Sequence, residues 1–348
     1  MSMPERTQYT MRDVARLAGV STSTVSAVIN ETVAVSPGRK KRVLSAMAAL
    51  DYHPDEVARS LKTGRTNVIG VVIPDITNAF YPEVIRGVEE AARQAGYGVL
   101  LCDSNEDAQS EATHLATLSA RRVDGVLLAC CASSSAFDAM IRRRFPLVFV
   151  DRIPPGTVGS TVSSDNVDAG YTAATHLIKL GHERIAMLVG NLDLSPHRDR
   201  LEGFRKAMQE SNLPIRDEYL IGGGVQIEDG RTAGLQLLSI SPVPTAIIVS
   251  NNKLLLGLFE SIDERKVKVP TQLSVVGFDD YVWNRYVTPS LTVIAQATGE
   301  MGRCAFELLH QLINSNSDET PAKQIRLKTE LRVRSSTTPP SSSASQKR

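Results

Sequence analysis

Four short apolar segments of the chain are each followed by a polar side chain. These are Asp151-Arg152 after 147–150, Asn251 after 246–250, Asp279 after 274–278 and Gln296 after 291–295. Apolar, β-branched segments of this length predict buried strands of a parallel sheet. The carboxyl ends of parallel strands meet at one edge, which is where open α/β sheets bind ligands. The spacing therefore predicts a binding site made from the ends of several strands.

The predicted site combines acid, amide and guanidinium groups, which suit a hydroxyl-rich ligand because each hydroxyl both donates and accepts. Two further candidates are Arg198, in the segment 197–204, and Trp283, just beyond Asp279-Asp280. Each candidate has a simpler interpretation. Asn251 and Asp279 could cap helices, and Arg198 could belong to a surface ion pair. The residues alone leave these alternatives open.

Three short helices are predicted at the start of the chain, with a glycine turn between the first two. Gly19 can end the first helix, and Ser21 can cap a second helix over Thr22–Asn30. Ser36-Pro37 starts the third helix. This is the helix-turn-helix pattern, whose second helix enters the DNA major groove.

The second predicted helix has an exposed face that offers small polar groups to DNA. Base edges would meet Thr22, Ser23 and Ala27, and phosphates would meet the hydroxyls of Ser21, Thr24 and Ser26. The simpler interpretation is a small helical subdomain with ordinary caps.

Charge is distributed unevenly along the 348 residues, although the net charge is only +1. Up to Thr66 there are ten Lys and Arg against six Asp and Glu. A basic head on a mildly acidic body indicates a separate module that binds anions.

From Asn67 onward, apolar strand segments alternate with helical patterns. This alternation predicts parallel sheets covered by helices on both faces, and the body is long enough for two similar lobes. The predicted fold class is thus an all-α helix-turn-helix head followed by an α/β core of two doubly wound parallel-sheet lobes.

Several classes of protein are disfavoured. The start of the chain lacks the apolar region of a secretory signal, and no apolar run is long enough to span a bilayer, so we expect a cytoplasmic protein without a membrane partner. The four cysteines lack metal-ligand spacing, and no cofactor is expected. The dinucleotide-binding and P-loop glycine patterns are absent, and the six histidines are scattered, which argues against an enzyme.

Four segments carry a resemblance to a known family. They are TMRDVARLAGVSTSTVSAVIN at 10–30, VSP at 35–37, LDYHP at 50–54 and ARSLKT at 58–63. Together they resemble the LacI/GalR family of transcriptional regulators, whose core is similar to periplasmic sugar-binding proteins of type I. The resemblance extends over nearly the whole chain. It implies a regulator, usually a repressor, that is controlled by a small polar ligand.

The resemblance also assigns DNA contacts. It adds Asn30, together with Ala58 and Leu61 of a hinge helix, and it implies that Leu61 wedges between base steps in the minor groove. Two positions depart from the family pattern. Ala27 stands where an arginine is common, which changes the base that can be read there. Asp55 stands where asparagine is usual, and its carboxylate is unfavourable near phosphates.

In the body, the resemblance implies that Asn78 hydrogen-bonds ligand hydroxyls and that Phe80 and Tyr81 form a stacking wall, although both rings could be plain core. Asn252 is a third departure, because aspartate is frequent there. With Arg152 and Arg198 present, the expected ligand is a sugar, a sugar acid or a sugar phosphate. The expected partners are this effector, double-stranded operator DNA and a second copy of the chain, because one head reads only half of a palindromic site.

The expected organisation follows from these patterns. It is a DNA-binding domain over 1–53, a hinge helix and linker over 54–66, a core over 67–334 and a disordered tail over 335–348. Within the core, the first lobe comprises about 67–165 with 296–324, and the second about 166–295 with 325–334. The alternatives are a sugar-binding protein that does not bind DNA, or an enzyme on the same α/β core.

Overall fold

A computed structural model describes residues 9–30, 34–52, 64–131, 135–315 and 321–341. The chain divides into two compact units, Met1–Thr66 and Asn67–Arg348. Residues 53–63, which include most of the predicted hinge helix with Asp55, Ala58 and Leu61, lie outside the described residues.

The first unit contains three described helices, α1 (Met11–Ala18), α2 (Thr22–Asn30) and α3 (Pro37–Ala49). Their small core is made of short apolar side chains, among them Val14, Val25 and Val43, which are fully buried. Thr10 caps α1 together with Asp13 in a reciprocal capping box, and Ser36 precedes Pro37 at the start of α3 as predicted.

Two six-stranded sheets form the second unit. The strands are β1 (Val68–Ile73), β2 (Gly98–Asp103), β3 (Gly125–Leu128), β4 (Leu147–Val150), β5 (Ser160–Ser164), β6 (Ile185–Val189), β7 (Leu220–Gly222), β8 (Ala246–Val249), β9 (Ser274–Phe278), β10 (Thr292–Ala295), β11 (Gln324–Leu327) and β12 (Glu330–Arg332). The helices are α4 (Phe80–Gln94), α5 (Ala108–Ala120), α6 (Asp138–Arg142), α7 (Asn166–Lys179), α8 (Ser195–Glu210), α9 (Ile227–Leu237), α10 (Asn252–Glu264) and α11 (Thr298–Asn314).

The first lobe is built on the sheet β11-β5-β4-β3-β1-β2, and all its strands are parallel. The second lobe is built on β12-β10-β9-β8-β6-β7. Apolar clusters cover both faces of each sheet, so central strands such as β3, β4 and β8 are apolar along their whole length. This agrees with the predicted doubly wound architecture.

The chain crosses between the lobes three times, after β5, after β10 and after β11. Strand β11 pairs with β5 through Leu327, so the last crossing lies at 328–329 rather than at the predicted 324–325. Strand β12 then starts where β11 ends and pairs antiparallel with β10. The connection of two residues is too short to carry the chain to the far edge of the second sheet. Strand β12 therefore starts at the near edge and runs in the direction opposite to β10.

Two further differences concern polar segments. Strand β5 has the sequence STVSS and was not predicted, although all five of its residues are buried. The predicted disorder after Arg334 was wrong for residues 335–341. Ser336 is fully buried, accepts from the Thr292 amide at 2.8 Å and donates to the Val275 carbonyl at 2.7 Å. Composition marks Ser and Thr as solvated, but here their hydroxyls are hydrogen-bonded within the second lobe.

Helices α4 and α11 pack so closely that glycine is required at their contact. A Cβ on Gly302 would lie 2.0 Å from the Val84 carbonyl oxygen and 2.8 Å from the Val88 amide nitrogen. Helix backbones cannot retreat as a flexible side chain would, so the pair has little freedom to adapt.

We therefore predict that Gly302→Ala lowers the free energy of unfolding by about 1–3 kcal/mol, the usual cost of overpacking. Urea denaturation followed by circular dichroism measures it. Gly299→Ala on the same helix is the control, since its Cβ would meet nothing within 4 Å, and its stability should be unchanged or slightly higher. Equal stability of both variants would contradict the close-packing argument.

Candidate DNA-reading helix and ligand cleft

The turn between α1 and α2 is fixed by Gly19, which has φ +62°. The left-handed backbone lets Gly19 and Val20 donate to the carbonyls of Arg16 and Ala15 at 3.3 and 3.1 Å. This closes the end of α1 within one turn. The second helix can then start at Thr22, which gives the predicted helix-turn-helix.

The predicted reading residues lie mainly at the exposed start of α2. Ser21, Thr22 and Ser23 are exposed, and Thr24, Ser26 and Ala27 are half-buried. The buried residues Val25 and Val28 hold the opposite face against the core of the head. Asn30 is the last residue of α2. Helix α2 therefore presents hydroxyl groups at its exposed N-terminal end to an incoming polyanion, as a DNA-reading helix does.

Ser21 also has a structural role. Its Oγ accepts from the Thr24 amide at 3.2 Å and lies 2.8 Å from the Ser23 hydroxyl. It is therefore the N-cap of α2, as the sequence predicted.

A cleft lies between the two lobes at the carboxyl ends of their strands. Its lining residues are Asn78, Phe80, Tyr81, Asp151, Arg152, Pro196, His197, Arg200, Asn251, Asp279 and Gln296. Eight of the ten side chains predicted to bind a ligand are among them. The cavity has a volume of about 40 Å³, which accommodates water but not a sugar.

Arg198 and Trp283 do not line the cleft. The Arg198 side chain is 43% exposed and lies beside Asp199 at 3.7 Å. Residues two apart on a helix point to nearly opposite sides, so it is Arg200 that is buried. Spacing contains this signal, because His197, Arg200, Leu201 and Phe204 form one buried face of α8.

Trp283 packs against the core of the second lobe. Its ring stacks on Tyr281 with the centroids 6.3 Å apart and the planes 15° apart. The Tyr281 hydroxyl in turn accepts a short hydrogen bond from Asn252. Trp283 thus supports a residue at the boundary between the lobes rather than the cleft wall itself.

Asp151 and Asp279 occupy equivalent positions in the two lobes. Each directly follows a buried strand, and each has a left-handed backbone, with φ +62° and +70°. Aspartate tolerates this conformation better than most residues, and such strain is concentrated at functional sites. Both carboxyl groups are buried in the cleft.

Arg152 is neutralised within the first lobe. Its two terminal nitrogens each donate to Glu106 at 2.7 Å, in a bidentate pair. The Tyr81 hydroxyl donates to Asp151 at 3.1 Å, and the Arg152 guanidinium lies 5.9 Å from the Tyr81 ring centre. Burial raises the pKa of Asp151, an effect that the nearby Arg152 and Arg200 oppose.

Arg200 is the central cation of the second lobe. Its Nε donates to Asn166 at 2.8 Å, its Nη1 donates to the Ser250 carbonyl at 2.5 Å, and its guanidinium lies 4.1 Å from the Phe278 ring centre. Burial lowers the pKa of His197 well below its usual value, and the positive charges of Arg200 and Arg152 lower it further. His197 is therefore neutral at physiological pH.

Asn251 and Gln296 complete the cleft through hydrogen bonds of their own. Asn251 caps α10 by accepting from the Leu254 amide at 2.7 Å, so it is a cap and a lining residue at once. Gln296 donates to Asp279 at 2.6 Å and accepts from the Ser164 hydroxyl at 2.6 Å. Gln296 thereby connects two of the lobe crossings to the cleft carboxylate.

Burial raises the pKa of Asp279 to about 6, even though Arg200 and the Gln296 amide favour the charged form. The native state therefore binds this proton more tightly than the unfolded state does. The cost of ionising Asp279 is absent below the unfolded value near 3.8 and complete above about pH 6.

We predict that Asp279→Asn raises the free energy of unfolding, by roughly 3 kcal/mol at pH 8 and by less at pH 5, since each pKa unit corresponds to about 1.4 kcal/mol. Urea denaturation at the two pH values measures the difference. The control is Asp280→Asn. Hydrogen bonds from Arg332 and Arg334 outweigh burial and lower the pKa of Asp280, so this variant should be less stable at both pH values. A gain for Asp279→Asn that does not depend on pH would contradict the prediction.

Two features are absent from the described residues. None of the described helices is long and apolar enough to cross a membrane. Within the same residues, no group of three His, Cys, Asp or Glu side chains could hold a metal ion.

The helical head and the α/β body of the chain each match a known protein family. Residues 10–55 match the family described as bacterial regulatory proteins, lacI family, and residues 174–337 match the periplasmic binding protein-like domain. The ribose operon repressor of Escherichia coli (strain K12) is 39% identical over 302 residues, which cover 86% of this chain and 92% of that protein.

Solved structures show the same architecture. The lac repressor dimer bound to operator and an anti-inducer has a TM-score of 0.83 at 28% identity, covering 95% of this chain and 99% of that one. A LacI family regulator from Enterococcus faecium with bound ribose has a TM-score of 0.69 at 29% identity, covering 78% of this chain and 99% of that one.

The helical head, the two α/β lobes and the identity over most of the chain lead to one conclusion. The protein belongs to the LacI family and is a DNA-binding transcriptional regulator controlled by a small-molecule effector.

Proposed function

We propose that this regulator is a repressor that binds operator DNA as a homodimer, and that its effector is an uncharged, hydroxyl-rich compound of the sugar type. The observation that carries the effector class is the pairing of both arginines in the cleft. Arg152 is held by Glu106, and Arg200 is held by Asn166 and a backbone carbonyl.

The charge of the cleft disfavours an anionic ligand. Two guanidinium groups face three carboxyl groups, those of Glu106, Asp151 and Asp279, so no positive charge is left over. A sugar acid or sugar phosphate would add negative charge to a buried site where burial already raises the pKa of Asp151 and Asp279. Neutral hydroxyls can instead donate to the carboxylates and accept from the guanidinium and amide groups.

The apolar part of the cleft also suits a sugar. Phe80 and Tyr81 pack edge to face with their centres 5.1 Å apart, and both line the cavity. Such rings can cover the C–H surface of a sugar while polar groups bind its edge. The ribose-bound structural relative supports this class of ligand. Asn78, Asp151, Arg152, Asn251, Asp279 and Gln296 are the polar contacts that we assign, with Arg200 in place of Arg198.

A conformational change follows from the size of the cavity. About 40 Å³ cannot hold a monosaccharide, so the lobes must separate before it enters. Because the lobes are linked by three crossings, their relative position can communicate effector binding to the rest of the chain.

For DNA, we assign the reading face of α2 to Thr22, Ser23 and Ala27, with phosphate contacts from Ser21, Thr24 and Ser26. Asn30 ends the same helix, and Ala58 and Leu61 keep their sequence-based assignments. We propose that the protein binds its ligand without turning it over, as its relatives are repressors, and that it acts in the cytoplasm beside the chromosome.

Dimerisation is supported by apolar side chains on the surface of the core. Leu100 and Leu101 are exposed on the edge strand β2, and Val282 and Tyr286 are 75% and 80% exposed. A bare strand edge and large exposed apolar groups are usually covered by a partner. A two-fold dimer would also match the two halves of an operator.

Selection of operators from random duplex DNA tests the proposal as a whole. With the purified full chain, we expect enrichment of a pseudo-palindrome whose recovery changes with one neutral sugar and not with its acid or phosphate. Recovery of no sequence by a folded protein would overturn the DNA-binding function. A response to an anionic sugar alone would overturn the effector class.

The role of Glu106 gives a sharper test of ligand charge. Glu106→Gln frees the charge of Arg152, so we expect affinity for ribonate to rise about tenfold relative to D-ribose. Isothermal titration calorimetry measures both ligands. Glu83→Gln is the matched control, since Glu83 accepts a hydrogen bond from Thr298 on α11 and does not line the cleft. An unchanged ratio in Glu106→Gln would show that Arg152 is not what decides ligand charge.

A further inference from the structure

The first two residues of α10 reach from the second lobe to a loop of the first lobe. Asn252 donates to Asn78 at 2.8 Å, and Lys253 forms a short ion pair with Asp75 and donates to Thr77 at 2.9 Å. The segment 75–78 follows β1 and ends at a residue of the cleft wall. One turn of helix therefore holds the rim of the ligand cavity from the opposite lobe.

The ammonium group of Lys253 has a hydrogen-bond acceptor for each of its three N–H donors. Its three donors meet Asp75, Thr77 and, at 3.0 Å, Gln226. The Lys253 and Asp75 side chains are only 15% and 8% exposed. Among the ion pairs formed between described residues, this is the pair that joins the lobes.

Asp75 is held in place from its own side as well. Its Oδ1 accepts from the Thr77 amide at 2.8 Å and from the Thr77 hydroxyl at 2.6 Å. Burial raises the pKa of Asp75, but the hydrogen bonds from Lys253 and Thr77 lower it by more, so the carboxylate is charged at neutral pH. Lys253 thus pairs with a carboxylate whose position is already fixed by Thr77.

Asn252, which lies beside this ion pair at the boundary between the lobes, is only partly hydrogen-bonded. It is 5% exposed, and its Oδ1 has no hydrogen-bond partner, while its Nδ2 serves both Asn78 and Tyr281. A buried unsatisfied acceptor is costly. The amide pair therefore adds little to hold the lobes together, and the ion pair beside it carries more of that task.

We propose that the Lys253–Asp75 ion pair is a latch between the lobes that keeps the ligand cavity closed when it is empty, so that Lys253 is a positioning residue for effector binding. The proposal deepens the proposed function, on which its effector part rests. The latch must open before a sugar can enter, because the closed cavity is too small.

The physical basis is the balance between attraction and desolvation. In the closed state each charge depends on the other, and removing one partner leaves the second buried and uncompensated. When the lobes separate, water solvates both charges and little free energy is lost. Such a contact sets the fraction of open molecules without fixing the protein in one state.

Hydrogen exchange of the ligand-free full chain tests the latch directly. We expect Lys253→Met and Asp75→Asn to speed exchange about tenfold in the segment 75–80 and also at the Ile153 amide. Ile153 donates to the Ser195 hydroxyl of the other lobe at 2.8 Å, so it reports separation at another place in the cleft. Lys253→Arg keeps the charge and should exchange like the natural protein.

The matched control is Lys266→Met. Lys266 pairs with Asp263 at 3.1 Å near the end of the same helix, and both side chains are exposed and belong to one lobe. Exchange should not change in this variant. If faster exchange in Lys253→Met is confined to 75–80, Lys253 only anchors a loop and the latch is overturned. Unchanged exchange throughout overturns it equally.

Ligand kinetics extend the test with D-ribose as the probe. Stopped-flow fluorescence of Trp283, the single tryptophan, should show faster association in Lys253→Met than in Lys266→Met, because opening no longer limits entry. Equal association rates would overturn the gating role. If the natural protein does not bind D-ribose, D-ribose is not the effector, while the exchange result still decides the latch.

Discussion

Buried charge at the carboxyl ends of two sheets is the constraint on which this structure depends. Asp151 comes from the first lobe and Asp279 from the second. Arg200 belongs to the second lobe, and its positive charge interacts with both carboxyl groups. Carboxylates that are removed from water need compensation by hydrogen bonds or opposite charge. Each lobe supplies part of this compensation, through Tyr81 and Arg152 for Asp151 and through Arg200 and Gln296 for Asp279, and Arg200 also interacts with Asp151 across the cleft.

The groups that hold the empty cleft together are the same groups that a ligand would use. Gln296 donates to Asp279, the Oδ1 of Asn78 accepts from Asn252, and Tyr81 donates to Asp151. A hydroxyl-rich effector would compete for these hydrogen bonds and would therefore change the closed state on binding. Effector binding and lobe position are therefore coupled within the cleft itself, in addition to the Lys253–Asp75 latch, because binding and closure share donors and acceptors.

Much of this could be predicted from local pattern. Gly19 between two short helices, and a cap at Ser21, indicate the turn of the head because only nearby residues decide a turn. Polar residues after apolar segments predicted five of the cleft residues, since parallel strands place their carboxyl ends together whatever the details of packing. Three more, Asn78, Phe80 and Tyr81, were expected from the family resemblance. The polar strand β5 was missed because its burial depends on hydrogen bonding that composition does not show.

The sequence by itself thus determined the helix-turn-helix, the alternation of strands and helices, and the edge of the sheets where polar groups collect, because these depend on local spacing and on backbone geometry. Only the tertiary structure decided that Arg200 rather than Arg198 enters the cleft, that Glu106 neutralises Arg152, and that Lys253 reaches Asp75. The reason is that pairs separated by tens to hundreds of residues meet only when the two lobes pack, and burial then fixes which charges are compensated.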